Sequence, residues 1–125
     1  MPSSRVPALA LVADVVAVVV FAAVGRVNHA EAADVWGLAA TVAPFVVGLA
    51  AAWATPFVRA DPSGLRAGSV ALAGTVVIGL ALRAAFTGRL PLSFAVVTVV
   101  SLAVLMLGWR ALSLVVARRA AHRVR

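Results

Sequence analysis

The chain has 125 residues, 64% hydrophobic and 12% charged, with eleven basic residues against four acids and a net charge of +7. A mean hydropathy of +1.10 excludes a soluble globular domain, in which about 25% of residues are charged. There is no Cys, which excludes disulfide and thiol chemistry, and every basic residue is Arg in an Ala- and Val-rich background, a bias that points to a GC-rich bacterial genome.

Four apolar stretches, 6–24, 35–54, 67–86 and 92–117, account for most of the sequence. About 20 apolar residues rising about 1.5 Å each cross a hydrocarbon core about 30 Å thick. The runs are too long and too unalternated for barrel strands, and lipid leaves backbone groups no partners outside a helix. The fold expected is an all-α integral membrane protein, a single four-transmembrane-helix bundle of up-down-up-down topology. Its helices are expected at about 6–25, 29–55, 62–87 and 91–117, followed by a basic tail over 118–125.

The first run follows Met1-Pro2-Ser3-Ser4-Arg5, a start shared with secretory signals. Its length, Asp14 within it and the three spans that follow predict a retained helix rather than a cleaved signal. Gly25-Arg26 is expected to close this helix, because Gly suits the left-handed position after a helix end. Asn28 with Glu31 then makes a capping-box-like start for the second helix, with Asp34 also near its positive end.

Pro44 falls inside the second span, where a kink is expected and tolerated. Gly37, Thr41, Pro44, Gly48 and Ala52 form a small-residue stripe along which another backbone could approach. In the polar link that follows, Asp61-Pro62 reads as an N-cap and a first helical residue. The third span repeats the pattern with Gly68, Leu72, Thr75 and Gly79, which makes Gly48, Thr75 and Gly79 the packing positions to expect. Thr87-Gly88-Arg89-Leu90-Pro91 is short enough only for an antiparallel hairpin. On the fourth span the corresponding stripe is Thr98, Ser101, Leu105 and Gly108.

With four crossings, Arg5, Arg59, Arg66, Arg118, Arg119, Arg123 and Arg125 share one side, against Arg26 and Arg89 on the other. Seven against two places both termini in the cytoplasm by the positive-inside rule. Trp36, Trp53 and Trp109 lie near helix ends, as an interfacial aromatic belt would have them. Beside a membrane helix, Arg118, Arg119, Arg123 and Arg125 read as head-group anchors on anionic lipid. No interleaved aromatics or zinc spacings argue for nucleic acid.

Three charged residues lie inside the spans. Asp14 is roughly 12 Å below the cytoplasmic boundary, where an acid costs about 2.5–3.5 kcal/mol on insertion scales. It could handle protons or cations. The reading its isolation favours is a neutral or hydrogen-bonded tie between helices, which would accept Asn in its place. Arg83 continues the small-residue stripe of the third span, and two readings stay open: lining a polar cavity, or snorkelling to head groups. Arg110 reads first as an interface anchor, since it lies near the cytoplasmic end of its span, nearly opposite Ser101 and away from the small-residue stripe; by depth it is the nearest intramembrane Arg to Asp14, but a pair would have to bridge roughly 9 Å of depth at the helical rise. His29 and His122 fall on opposite sides and cannot share a metal, and no Ser has a neighbouring His and acid arrangement to activate it.

Asp14, Phe21, Gly25-Arg26 with His29, Pro44-Phe45 with Gly48 and Trp53, Leu82-Arg83, Phe94 and Gly108-Trp109-Arg110 together resemble the bacterial membrane family called domain of unknown function 3054. The resemblance spans nearly the whole chain. It implies a four-helix bacterial inner-membrane protein and supplies no activity, ligand or catalytic residue. The function expected is therefore a membrane interaction or scaffold subunit with no enzymatic activity and no cofactor. Its partners would be lipids, anionic on the cytoplasmic side, and a second copy or another membrane protein. The alternative is a small oligomeric transporter or channel using Asp14 and Arg83.

Overall fold

The computed structural model describes residues 5–28 and 35–124, with side chains placed over 7–26 and 35–122. Five helices follow one another: α1 (Arg5–Asn28), α2 (Val35–Trp53), the single turn α3 (Pro56–Arg59), α4 (Leu65–Thr87) and α5 (Leu92–Val124), with no strand among the described residues. Four of them, α1, α2, α4 and α5, are long and apolar enough to cross a membrane. Val12, Val16, Val47, Val77, Val100 and Val104 face outward, each more than half exposed. Such a surface needs lipid rather than water around it.

The long helices form a closed ring in which each is antiparallel to its neighbours. Thr41, Phe45 and Gly48 of α2 lie beside Arg83, Gly79 and Thr75 of α4, in opposite chain order. Asp14 and Phe21 of α1 meet Trp53 and Phe45 of α2. The same two residues meet Arg110 and Phe94 of α5, and Gly68 and Arg83 of α4 also lie against Arg110 and Phe94. This is the up-down-up-down bundle.

Backbone proximity is greatest between α2 and α4, where the small residues sit. A Cβ on Gly48 would come within 2.6 Å of the Gly74 carbonyl oxygen and 3.0 Å of the Thr75 Cα. A Cβ on Gly79 would overlap the Phe45 ring. Of the two stripes, Thr41, Pro44, Gly48 and Ala52 are buried in α2, and Gly68, Thr75 and Gly79 in α4, while Gly37 and Leu72 are half-buried. Pro44 lies within a helix that continues on both sides of it. The threonines satisfy themselves: Thr41, Thr75 and Thr98 each donate to the carbonyl oxygen four residues earlier, at 2.7 to 3.0 Å.

Several local expectations are corrected. Gly25 does not end α1, which runs on to Asn28, so Asn28 belongs to the end of the first helix. Glu31, Asp34 and His29 lie outside the described residues, as does Arg125. Asp61-Pro62 does not start α4. Asp61 closes a turn by accepting the Gly64 N–H at 3.0 Å, and Gly64 in extended conformation is the N-cap. The link instead carries its own helical turn, α3, whose Val58 is fully buried against the bundle. α4 ends where expected, at Gly88 with φ of 75°, whose N–H returns to the Ala84 carbonyl at 2.8 Å. The basic tail is a continuation of α5 to Val124.

The small-residue stripe on the last span is also overturned. The buried face of α5 is Thr98, Leu102, Met106 and Arg110, at steps of four, while Gly108 is exposed with open space where a Cβ would stand. Small residues mark a contact only where backbones approach closely. α5 packs through large side chains, so its face follows them.

Candidate functional site

Arg110 and Asp14 form a fully buried ion pair between the last helix and the first. Arg110 Nη1 donates to Asp14 Oδ1 at 2.7 Å and Nη2 to Oδ2 at 2.8 Å, with both side chains 0% exposed. This is the parallel two-bond geometry that a planar guanidinium offers a carboxylate. Two indoles complete the set: Trp109 Nε1 donates to Oδ1 at 2.9 Å and Trp53 Nε1 to Oδ2 at 3.0 Å. Each carboxylate oxygen thus receives one Arg and one Trp hydrogen bond, and an acceptor-only carboxylate is what four N–H donors require.

The arginine is equally well satisfied. Its Nε donates to the Pro62 carbonyl oxygen at 3.0 Å, and Nη1 also reaches the Met106 carbonyl oxygen at 3.2 Å. The guanidinium carbon lies 4.3 Å from the Trp109 ring centroid, adding a cation–π contact. Gly68 of α4 makes room, since a Cβ there would overlap Arg110 and Leu107 side chains. No buried side-chain nitrogen or oxygen among the described residues lacks a partner.

Arg110 is therefore the core of the polar cluster and not an interface anchor. The depth gap that counted against the pair is closed by side-chain direction, because helical side chains lean toward the N-terminus of their own helix. The bond to Met106, one turn earlier, shows Arg110 running back along α5 in that direction. Pro62 explains the late start of α4, since a helix begun at Pro62 would engage its carbonyl in the helical ladder. Trp53 and Trp109 are missed as polar residues by their position near helix ends, and only Trp36, 83% exposed, keeps a surface position. The one available signal was three residues with polar N–H groups, Trp53, Trp109 and Arg110, near the end of the bundle that holds Asp14, the one acid inside a span.

Arg83 takes no part in this cluster. It lies at the other end of α4, with its guanidinium carbon 4.6 Å from the Phe94 ring centroid. Between the two arginines Val18, Leu49, Leu102 and Met106 are buried, the buried Thr75 and Thr98 hydroxyls are spent on carbonyl oxygens of their own helices, and Phe21, Phe45 and Phe94 form an aromatic layer with centroids 5.3 to 6.4 Å apart. Arg26 donates to Thr41 Oγ1 at 3.1 Å at the same end as Arg83. Arg118, Arg119 and His122 are exposed on the distal part of α5, while the Arg123 side chain lies outside the description. Among the described residues no three metal-binding side chains come together.

A protein-family profile described as Protein of unknown function (DUF3054) matches residues 11–113. The chain belongs to this family. The matched stretch contains Asp14, Trp53, Pro62, Trp109 and Arg110, the whole of the buried cluster. No curated protein and no solved structure matches the chain.

Proposed function

We propose that this DUF3054 protein is a non-enzymatic interaction or scaffold subunit of the bacterial cytoplasmic membrane, with both termini in the cytoplasm. The observation that carries the reading is the closure of the Asp14–Arg110 cluster on itself. Every strong polar group in it is consumed by bonds to another helix or to the link before α4, so its role is to tie α1, α2 and α5 together. The apolar layers between it and Arg83 support the same conclusion, since a solute path using both residues would have to cross Phe21, Phe45 and Phe94. The seven-to-two Arg bias and the exposed Arg118 and Arg119 on the distal part of α5 support a cytoplasmic tail on anionic lipid. A second copy or another membrane protein would dock on the outward valines.

The test is ion and proton flux in proteoliposomes across a panel of gradients. The expected result is no flux above protein-free vesicles. A wild-type flux that Asp14→Asn or Arg83→Gln abolishes, with the variant still folded, would establish the transporter reading instead.

A further inference from the structure

Arg83 is the one intramembrane cation whose guanidinium donates no hydrogen bond to any described residue. It is half-buried over Phe94. Asp14 and Asp61 lie at the far end of the bundle, and the other two acids, Glu31 and Asp34, fall outside the described residues. Arg83 also stands where three cavities adjoin. One, of about 520 Å³, starts at Arg26, Thr41 and Thr87 and runs between α2 and α4 past Ala40, Ala43, Pro44 and Phe86. A second, of about 230 Å³, lies under the α4–α5 turn against Thr87, Arg89 and Ser93, and a third, of about 40 Å³, reaches Arg26 and Thr41. A basic, hydroxyl-bearing pocket thus opens directly into an apolar groove.

We propose that this junction seats a phospholipid of the leaflet opposite the Arg-rich tail. Arg83 would hold the phosphodiester, Arg89, Thr87 and Ser93 would surround it, and one acyl chain would lie in the α2–α4 groove. The guanidinium fork matches phosphate oxygens in two-bond geometry. Arg83 is one turn, about 6 Å at the helical rise, below the end of α4 at Thr87, which is a depth that head-group phosphate reaches. The groove decides for a lipid over a soluble anion. Ala40, Ala43 and Phe86 are exposed on the outward surface, so the groove opens sideways to the bilayer, and a free phosphate would leave it unfilled. The inference concerns the end of the molecule remote from Asp14 and stands apart from the scaffold reading.

Native mass spectrometry of the delipidated full chain in mild detergent, titrated with phosphatidylglycerol, tests it. The wild type is expected to retain one lipid. Arg83→Gln should weaken retention at least about tenfold, the weight of a charge-assisted hydrogen bond. Ala40→Leu, which fills the groove from an exposed position and leaves every charge in place, should weaken it comparably, while Val77→Leu, at an exposed position of α4 that lines none of the three cavities, leaves it unchanged. Should Arg83→Gln fail to fold, Ala40→Leu decides alone. Retention by Arg83→Gln or Ala40→Leu within twofold of wild type overturns the proposal. So does full displacement of the lipid by inorganic phosphate, which would make the pocket a soluble-anion site.

Discussion

Asp14→Asn is nearly isosteric, yet the structure makes it a severe change. The carboxylate accepts four N–H bonds, from Arg110 twice and from Trp53 and Trp109 once each. An Asn amide has one acceptor oxygen and one NH₂. Whichever way it is turned, its nitrogen faces one Arg110 N–H and one Trp N–H, donor against donor, and the buried guanidinium loses its counter-charge. Removing one partner of a buried ion pair costs about 3–5 kcal/mol, so Asp14→Asn, Asp14→Leu and Arg110→Leu are each expected to destabilise the bundle by about that amount. Asp14→Leu with Arg110→Leu together removes both charges and leaves only the two indoles and the Pro62 carbonyl short of a partner. That double variant should recover much of the loss, giving a coupling energy of about 2 kcal/mol or more, well above the about 0.5 kcal/mol within which independent sites add. Equilibrium unfolding in mixed detergent micelles, followed by helical circular dichroism, measures the four variants against the wild type. A tolerated Asp14→Asn, or strictly additive Leu variants, would refute the cluster as the tie between α1 and α5.

Gly48→Leu and Gly79→Leu should each lower stability by about 1–3 kcal/mol or more through overpacking, because any Cβ at Gly48 meets the α4 backbone and at Gly79 the Phe45 ring. Val77→Leu, 66% exposed, and Gly108→Leu, with nothing within 4 Å of its Cβ position, should stay within about 0.5 kcal/mol of wild type. Equal thermal midpoints in detergent for all four would remove the close-approach argument. The proposed cytoplasmic placement of the termini is checked in a chain with no native thiol: a Cys replacing Ser4 should resist an impermeant maleimide in intact cells and react after permeabilisation, and labelling in intact cells would reverse the topology.

Membrane residence, four long apolar helices and the α2 and α4 contact faces were legible from the residues alone, whereas the end of α1, the start of α4 and the reach of α5 were not. The legible features depend on local quantities: apolar run length against bilayer thickness, and small side chains at helical spacing where Gly48 and Gly79 let backbones meet. The hairpin over 87–91 was legible for the same reason, since a link of that length joins only antiparallel neighbours. Tertiary structure decided what Asp14 does. Its partners lie 39, 95 and 96 positions away, and neither helical period nor distance from a helix end says which way Arg110 leans or where α4 starts behind Pro62. Trp53 and Trp109 have an apolar body and a polar N–H, so their place near helix ends suited a lipid interface and a buried carboxylate equally. Only the closing of the α1–α2–α4–α5 ring, which brings the first and last helices together, chose between them.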